Sequence, residues 1–324
     1  MTTMISALSH DPHVWAIVLA GGEGERMKPF ITRWLGRHCP KQYCAFVGSR
    51  SMFQHTVDRA LRLVPPERIV AVVSRDHRDL VTGQLLERGP ARVVYQPANR
   101  DTAPGIFLPL TYVAALDPEA TVVVLPSDHF AYPEDRLVAA IRDATSAAMG
   151  SPGHLVLVGA SPDRLELDYG WILREGRAIQ LNGIPVYPVR SFLEKPERAK
   201  AEAAWEAGAL WNTLVFAARA ETLWTLGWRF LPSLMPLFER LKEVVGTEAE
   251  SHVLRSIYEA MPQKNISYDL LQCMTEHLSV IELNDVLWSD WGRPERVAEA
   301  LRQIGRSPAF PEDSIEPKAS AMCP

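Results

Sequence analysis

The chain has 324 residues, of which 47% are hydrophobic, and it carries a formal net charge of −5 with a pI near 6.0. This length and hydrophobic content suffice for a sizeable core in one large α/β domain, with or without a smaller appendage. The acidic balance argues against nucleic acid or an anionic membrane surface as a partner, although it leaves room for a local basic pocket that binds an anion.

Signals for membranes, secretion and structural zinc are weak. No run reaches the ~18 uninterrupted apolar residues of a spanning helix, and residues 1–12 lack a basic segment followed by an apolar core. We therefore expect a cytoplasmic protein with a flexible leader over residues 1–12 and no membrane partner. Cys39 and Cys44 flank a Pro-Lys-Gln segment, but no second close pair completes a tetrahedral site, which favours buried reduced thiols over zinc.

The first predicted element is a strand at residues 14–20, whose apolar, β-branched residues are typical of a strand buried on both faces of a parallel sheet. A glycine-rich turn follows it. Gly21, Gly22 and Gly24 lack the Cβ atoms that would keep backbone N–H groups away from an anion. The segment also carries fixed positive charge, on Arg26, Lys28 and Lys41. A buried strand, bare backbone donors and fixed cations together meet the physical requirement for cradling a polyphosphate.

Strand and helix patterns alternate after this segment, as a parallel α/β sheet requires. Strands are predicted at 69–73, 92–95, 121–125 and 155–159. Helices are predicted at 51–63, 76–87, from 102 onward and at 135–149. Open parallel sheets bind ligands beyond the carboxyl ends of their strands, and Asp128 lies there within Pro-Ser-Asp-His. A carboxylate facing a polyphosphate has one obvious task, which is to hold a divalent cation such as Mg²⁺.

The second half of the chain is predicted to contain a helix at 197–207, a largely helical stretch at 221–261, a strand at 278–283 and a closing helix at 293–304. Trp211 and Phe216 are expected in the core. From Ser307 onward the chain is rich in Pro, Ser, Glu and Lys, which predicts a disordered tail over residues 307–324.

Segments spread over residues 14–304 resemble, in the same order, the motifs of sugar-1-phosphate nucleotidyltransferases, and most closely the mannose-1-phosphate guanylyltransferase branch. In this sequence they read GGEGERMKP with PKQY, QPANRDTAP, PSDH, YGWI, FLEKP, WNTLVF, ISYD and WSDWG. Any one of these segments is a weak signal. Their shared order makes coincidence improbable.

The resemblance implies a Rossmann-like, GT-A α/β fold over residues 13–306, with a mixed, mostly parallel central sheet flanked by helices and a sugar-binding part at 160–290. It implies transfer of a nucleotidyl group from an NTP, first of all GTP, to a sugar 1-phosphate, first of all mannose 1-phosphate, with release of pyrophosphate. The sugar-phosphate oxygen would attack the α-phosphorus in line, with Mg²⁺ or Mn²⁺ as cofactor.

The same resemblance assigns site residues. The nucleotide would contact Leu19, Ala20, Gly21, Gly22, Gly24, Gln96, Arg100, Thr102 and Ser127. The sugar phosphate would contact Tyr169, Gly170, Glu194, Lys195, Asn212, Thr213 and Asp269. Catalysis would depend on Arg26, Lys41, Asp128 and Lys195, and the metal ligands would be Asp128 and Asp290.

Departures from the family pattern keep alternatives open. Gln96 stands where the family has Glu and adds a hydrogen-bond donor, Asp101 replaces an Asn, and Leu214 replaces a Gly. A pyrophosphorylase for UTP, dTTP or ATP with another hexose 1-phosphate is therefore the second interpretation. A non-catalytic sugar-nucleotide-binding regulatory protein is the third.

The segment between Pro29 and Pro40 is longer than the resemblance implies and is expected to form a lid or an extra turn over the nucleotide. The resemblance also leaves room for a homodimer.

Overall fold

A ten-stranded mixed sheet forms the centre of the computed structural model, which describes residues 11–85, 92–311 and 314–315. The strands of the described residues are β1 (Val14–Ala20), β2 (Ile69–Ser74), β3 (Arg92–Gln96), β4 (Thr121–Pro126), β5 (Phe130–Tyr132), β6 (Leu155–Ala160), β7 (Gly170–Arg174), β8 (Ile179–Leu181), β9 (Ile184–Glu194), β10 (Leu210–Arg219), β11 (Leu278–Leu283) and β12 (Leu287–Ser289). The main sheet has the order β3-β2-β1-β4-β10-β6-β11-β9-β7, with β8 paired to β9. β5 and β12 form a separate two-stranded ribbon.

Helices cover both faces of this sheet. Those of the described residues are α1 (Lys28–Leu35), α2 (Met52–Leu61), α3 (Arg78–Gln84), α4 (Thr102–Leu116), α5 (Glu134–Met149), α6 (Arg198–Glu206), α7 (Ala220–Phe230), α8 (Met235–Lys242), α9 (Glu250–Ala260), α10 (Ile266–Asp269) and α11 (Pro294–Gln303). The strand and helix predictions are confirmed, with boundaries that shift by a few residues, except that residues 86–87 of the helix predicted at 76–87 lie outside the described residues. Within the described ranges, no helix is long and apolar enough to cross a membrane.

Parallel pairing is confined to part of the sheet. β3, β2, β1 and β4 pair in parallel, as do β6 and β11. β10 runs antiparallel to β4, β6 and β7, and β9 runs antiparallel to β7, β8 and β11. The expected mixed sheet is therefore confirmed, but the expectation that it is mostly parallel is wrong outside its first half.

The burial of β1 explains why its sequence is apolar at every position. Ala16 and Val18 face one hydrophobic cluster, and Trp15 and Ile17 face another on the opposite side of the sheet. Successive side chains of a strand point to opposite faces, so a strand covered by helices on both sides needs apolar residues throughout. β1 therefore lies in the middle of the core, and its carboxyl end opens directly into the glycine-rich turn.

The long segment after Pro29 forms helix α1 and packs against the C-terminal part of the chain. The ring centroids of Phe30 and Phe310 lie 5.0 Å apart, and those of Trp34 and Phe310 lie 5.6 Å apart. The backbone N–H of Ala309 donates to the carbonyl of Phe46 at 2.8 Å. Phe310 is 3% exposed, so the expectation of disorder is wrong for residues 307–311. The rest of the predicted tail, 312–313 and 316–324, and residues 1–10 of the predicted leader lie outside the described residues.

We predict that Phe310→Ala lowers the free energy of unfolding by about 3 kcal/mol, because it removes a buried ring from this aromatic cluster and leaves a cavity. Chemical denaturation measures the change. Trp205→Ala is the matched control, since that aromatic side chain is 41% exposed on α6 and its loss is expected to cost less than about 1 kcal/mol. Equal effects of the two substitutions would contradict the assigned packing.

Candidate active site

A cleft of about 330 Å³ opens at the carboxyl ends of β1 and β4. The structure brings these predicted site residues to its lining: Leu19, Gly21, Gly22, Gly24, Arg26, Thr102, Ser127, Asp128, Tyr169, Gly170, Glu194, Lys195, Asn212 and Asp290. Six predicted residues lie elsewhere: Ala20, Lys41, Gln96, Arg100, Thr213 and Asp269. Residues that were not predicted also contribute: Gln42, Pro126, His129, Asp168, Leu214, Asn265, Ile266, Ser267 and Trp288.

The glycine-rich turn is held from behind by Gln42 and Tyr43, in the short 3-10 helix Lys41–Tyr43. Gln42 Nε2 donates to the carbonyl of Ala20 at 3.0 Å and to that of Gly22 at 2.7 Å. Tyr43 Oη also donates to Ala20, at 2.9 Å. These bonds satisfy two carbonyls of the turn and fix its course. Ala20 therefore holds the turn in place through its backbone carbonyl. The role of Gln42 could have been expected from its position in the PKQY segment, next to Lys41.

Gln96 supports the turn from below. It ends β3 as a buried residue, and its Nε2 donates to Tyr258 Oη at 3.3 Å. A Cβ atom at Gly21 would overlap Gln96 Oε1, whereas a Cβ at Gly22 would meet nothing within 4 Å. Gly21 is thus required by the close approach of Gln96, and the amide acts on the turn without lining the cleft.

We predict that Gly21→Ala destabilises the protein by about 1–3 kcal/mol and weakens nucleotide binding, because the added methyl group displaces Gln96 or the turn. Gly22→Ala is the matched control and is expected to leave stability within about 0.5 kcal/mol of the wild type. Thermal unfolding and a nucleotide titration of both variants measure these effects. A Gly21→Ala protein as stable as Gly22→Ala would show that Gln96 is not fixed beneath the turn.

Lys41 does not reach the open cleft. Its side chain is 5% exposed, and Nζ donates to Asp128 Oδ2 at 2.8 Å and to the Asp290 carbonyl at 2.5 Å. A buried ammonium group needs such partners, because leaving it unpaired away from water costs several kcal/mol. The expected direct contact between Lys41 and a triphosphate is therefore not supported. Lys41 places its charge behind Asp128.

Asp128 projects from the carboxyl end of β4 into the cleft and is 40% exposed. Burial favours its neutral form, but the charge of Lys41 outweighs this effect, assisted by His129, and lowers the pKa of Asp128 below its ordinary value. Asp128 is therefore a carboxylate at neutral pH, with Oδ1 3.5 Å from His129 Nε2. Its backbone neighbour Ser127 donates from Oγ to the carbonyl of Leu19 at 2.6 Å, which ties β4 to β1.

Asp290 lies at the centre of a charge network beyond β12. Its Oδ1 accepts from Tyr169 Oη at 2.8 Å, Arg296 Nη1 at 2.8 Å and the Gly292 N–H at 2.9 Å. Its Oδ2 accepts from Arg26 Nη2 at 2.9 Å. Burial favours the neutral acid, but the charge of Lys41 and these donors outweigh it and hold the pKa of Asp290 well below its usual range.

The ion pairs that surround Asp290 in this network are difficult to predict from the sequence. Arg296 is buried on α11, and it pairs with Glu166 and, at 3.4 Å, with Asp168. Asp168 also lies 3.5 Å from Arg26. An arginine among the apolar positions of the closing helix was the available signal, because a buried charge needs a partner. The Tyr169 hydroxyl positions Asp290 and is not free for a sugar.

The donor set around Asp128 and Asp290 fits a hard divalent cation that keeps substrate and water ligands. No group of three or more His, Cys, Asp or Glu side chains in the described ranges is placed to hold a metal by itself. Mg²⁺ commonly needs only one or two carboxylates together with substrate phosphates and water. Both carboxylates line the cleft, and Asp290 Oδ2 accepts from Arg26 alone among the described residues, which leaves it capacity for a further interaction.

Gly170 and Glu194 form another part of the cleft lining. A Cβ at Gly170 would lie 2.7 Å from Glu194 Oε2 and 3.2 Å from Asn212 Cβ, so glycine leaves room for both side chains. Burial outweighs the charge of Lys195 and raises the pKa of Glu194. Lys195 is exposed, with Nζ 3.8 Å from Glu194 Oε1. A carboxyl group and an ammonium group thus face the cleft together, as recognition of a hydroxylated, phosphorylated ligand requires.

Strand β10 contributes Asn212 and Leu214 at a break in its pairing with β6. Asn212 Oδ1 accepts from the Leu214 N–H at 3.0 Å, and Leu214 has φ 57°. Thr213, between them, is fully buried, and its Oγ1 donates to the Val158 carbonyl at 2.6 Å. The expected sugar contact of Thr213 is therefore wrong, because its hydroxyl points into the sheet.

Three further predicted residues brace the rim of the cleft. Arg100 donates to the Tyr258 carbonyl through Nε at 3.0 Å and Nη2 at 2.8 Å. Asp269 accepts from Lys264 Nζ at 2.8 Å and from the Asn265 N–H at 2.7 Å. Neither Arg100 nor Asp269 lines the cleft, so their expected direct contacts are not supported. Thr102 does line it, and its Oγ1 accepts from the Ile266 N–H at 2.9 Å, which joins α4 to α10.

Three comparisons place this architecture among known proteins. A family model described as nucleotidyl transferase matches residues 15–307. Mannose-1-phosphate guanylyltransferase of Escherichia coli strain K12 is 30% identical over 285 residues, which are 86% of this chain and 58% of that protein. Mannose-1-phosphate geranyltransferase from Thermus thermophilus has a TM-score of 0.75 and 28% identity over 89% of this chain and 79% of that one.

A more distant match extends the likeness in fold. UDP-glucose pyrophosphorylase from Acinetobacter baumanii has a TM-score of 0.55 at 16% identity, over 90% of this chain and 93% of that one. These matches confirm the expected GT-A-like α/β fold with a central mixed sheet. The chain spans less than two thirds of the length of the first curated relatives that it matches.

Proposed function

Because the chain belongs to the nucleotidyl transferase family, we propose that it transfers a guanylyl group from GTP to mannose 1-phosphate and releases pyrophosphate. The observation that carries the proposal is one cleft whose lining combines the glycine turn, Arg26, Asp128, Glu194 and Lys195. The choice of guanine and mannose rests on the curated relatives named mannose-1-phosphate guanylyltransferase.

The proposed chemistry is an in-line displacement. An oxygen of the sugar phosphate attacks the α-phosphorus of the nucleotide, a new P–O bond forms, the bond to the bridging oxygen breaks, and pyrophosphate leaves. Catalysis here is positioning and charge neutralisation, with the glycine turn and Arg26 on the triphosphate and Lys195 on the incoming phosphate. Mg²⁺ or Mn²⁺ held by Asp128 and Asp290 would neutralise charge on the reacting phosphate oxygens.

The position of Gln96 supports a structural role for the departure from the family's Glu. Its amide lies beneath Gly21 and contacts Tyr258, and it does not line the cleft. We infer that Gln96 fixes the position of the glycine turn through its contact with Gly21, and that other groups select the nucleotide base. Guanine therefore stays the favoured base despite the substitution.

Pyrophosphate release by the purified protein tests the proposal. The protein is mixed with Mg²⁺, mannose 1-phosphate and each NTP in turn, with EDTA as control. Metal-dependent release with GTP supports the proposed reaction. Release with UTP, dTTP or ATP, or only with another hexose 1-phosphate, would overturn the substrate assignment while keeping the reaction class. No release with any pair, while nucleotide still binds, would favour a regulatory protein.

We predict that Leu214→Gly relaxes sugar selectivity. Leu214 lines the cleft at φ 57°, where a leucine is strained by about 1 kcal/mol and a glycine is not. Removing its side chain enlarges the sugar side, so the ratio of kcat/KM between mannose 1-phosphate and a bulkier sugar phosphate is expected to fall roughly tenfold. The KM for GTP is the internal control and should stay constant. An unchanged ratio would remove Leu214 from sugar selection.

A further inference from the structure

A second groove, of about 480 Å³, runs along β3 and is separate from the active-site cleft, with which it shares no lining residue. β3 is an edge strand of the sheet within the described residues. Four arginines surround the groove: Arg75, Arg78, Arg92 and Arg255. They come from the turn after β2, from α3, from the start of β3 and from α9, and we refer to this groove as the arginine groove.

The arginine groove has a net positive charge, because its described lining carries four arginines and one carboxylate, that of Glu250. None of its four guanidinium groups has a carboxylate partner among the residues that the structure describes. Glu250 is the one acidic side chain of the described lining, and its oxygens accept from Tyr112 Oη at 2.8 Å and from the Gly246 N–H at 2.6 Å. Like charges that lie close together repel one another, so a groove with a net positive charge would bind an anion favourably.

Two of the four arginines are held in place by aromatic rings. The guanidinium carbon of Arg78 lies 4.6 Å from the centre of the Tyr95 ring, and that of Arg92 lies 5.4 Å from the centre of the Tyr112 ring. Tyr112 is buried and is fixed in turn by Glu250. Stacking on fixed rings limits the motion of these side chains, so less entropy is lost when they bind a ligand.

We propose that the arginine groove is an accessory binding site for a polyphosphate anion, a di- or triphosphate chain that is either free or part of a nucleotide. Planar guanidinium groups donate two parallel hydrogen bonds to phosphate oxygens, and several of them together match a chain of phosphates better than a single monoanion. The proposal goes beyond the transfer reaction, and only its connection to nucleotide binding in the cleft rests on the proposed function.

The groove is connected to the active-site cleft through α9. Arg255 precedes Tyr258 by one helical turn, and the Tyr258 hydroxyl accepts from Gln96, the residue beneath Gly21. An anion that bridges Arg255 and the arginines beside β3 draws α9 toward the strand that carries Gln96. Occupancy of the groove therefore changes nucleotide affinity in the cleft.

Calorimetric titration of the full chain with inorganic triphosphate at about 0.1 M salt tests the site. We expect two sites in the wild-type protein, of which the double variant Arg78→Ala, Arg255→Ala loses one or binds at least about tenfold more weakly there. Both substitutions are at exposed positions, so folding is preserved. The matched control is Arg190→Ala, Arg302→Ala, which removes two exposed arginines outside the groove and should retain both sites.

The outcomes separate this proposal from the proposed function. One binding site in both wild type and double variant, with GTP turnover intact, would overturn the groove and leave the reaction untouched. Two binding sites without turnover of any NTP would support the arginine groove as a binding site and would overturn the proposed transfer reaction. Repeating the titration with GTP distinguishes the sources: two GTP sites identify a nucleotide, whereas one GTP site beside two triphosphate sites identifies a free polyphosphate. A KM for GTP that responds to triphosphate in the wild type but not in the double variant supports the connection through α9.

Discussion

Replacing Asp128 by asparagine is expected to lower turnover about 10³-fold or more while the protein remains folded. Asp128 is a carboxylate at neutral pH because the charge of Lys41 outweighs burial, and it lines the cleft at the end of β4. Asparagine has nearly the same size but no charge, so it removes the group that would hold a divalent cation against the phosphates. Pyrophosphate release at saturating substrates measures the loss.

Two controls make this result specific. Asp163→Asn changes an acidic residue whose carboxylate lies 3.9 Å from Arg164 outside the cleft, and it should leave turnover unchanged. Circular dichroism and thermal unfolding establish that the Asp128→Asn protein is folded, since Lys41 keeps its bond to the Asp290 carbonyl. An active Asp128→Asn enzyme that still requires metal would exclude Asp128 from metal binding.

Replacing Asp290 by asparagine is expected to cost about 3–5 kcal/mol of folding free energy at pH 7. The buried carboxylate accepts from Arg26, Arg296, Tyr169 and the Gly292 N–H. A neutral amide at this position removes a negative charge that balances the buried positive charge of Arg296. The matched control is Asp285→Asn, which breaks an exposed pair with Arg136 and should cost at most about 1 kcal/mol. Similar losses for both variants would show that the network around Asp290 contributes little.

The effect of Asp290→Asn depends on pH with a defined sign. The folded protein lowers the pKa of Asp290, so its charged form stabilises the fold above the unfolded value of about 3.9 and this contribution is lost as the pH falls toward the folded value. The difference in unfolding free energy between wild type and variant should be constant from about pH 7 to pH 5 and shrink below about pH 4. Urea titrations across this range measure it. A difference that grows in acid would contradict a carboxylate in the native state.

The parts of the fold that could be predicted are those with a strong local pattern. β1 has apolar residues that face two clusters, and α2 is capped by Ser51, whose side chain accepts from the Gln54 N–H. The carboxyl-end rule for parallel sheets placed Asp128 correctly at the cleft. Phe310 was missed because one aromatic residue in a Pro- and Ser-rich segment has no periodicity, and only the surrounding rings of α1 show that it is buried.

The errors within the site come from side-chain direction. Asn212 and Leu214 face the cleft, so the two-residue period of a strand already requires Thr213 to point the other way. For Lys41 the sequence carries the charge but no information on its direction, since a short 3-10 helix after Pro40 turns it inward toward Asp128. Long-range pairs such as Arg296 with Asp168 depend on the complete sheet and have no local signature.

The bond between Arg26 and Asp290 joins residues 264 positions apart, which has a consequence for biosynthesis. During synthesis, Arg26, Lys41 and Asp128 are added to the chain long before Asp290 and α11. Until then, Arg26 and Lys41 lack the hydrogen-bond acceptors that Asp290 provides. A nascent chain can form the parallel strands early, but the network around Asp290 closes only after Asp290 and α11 have been synthesised. A chain that ends before Asp290 therefore lacks the central acceptor of this network.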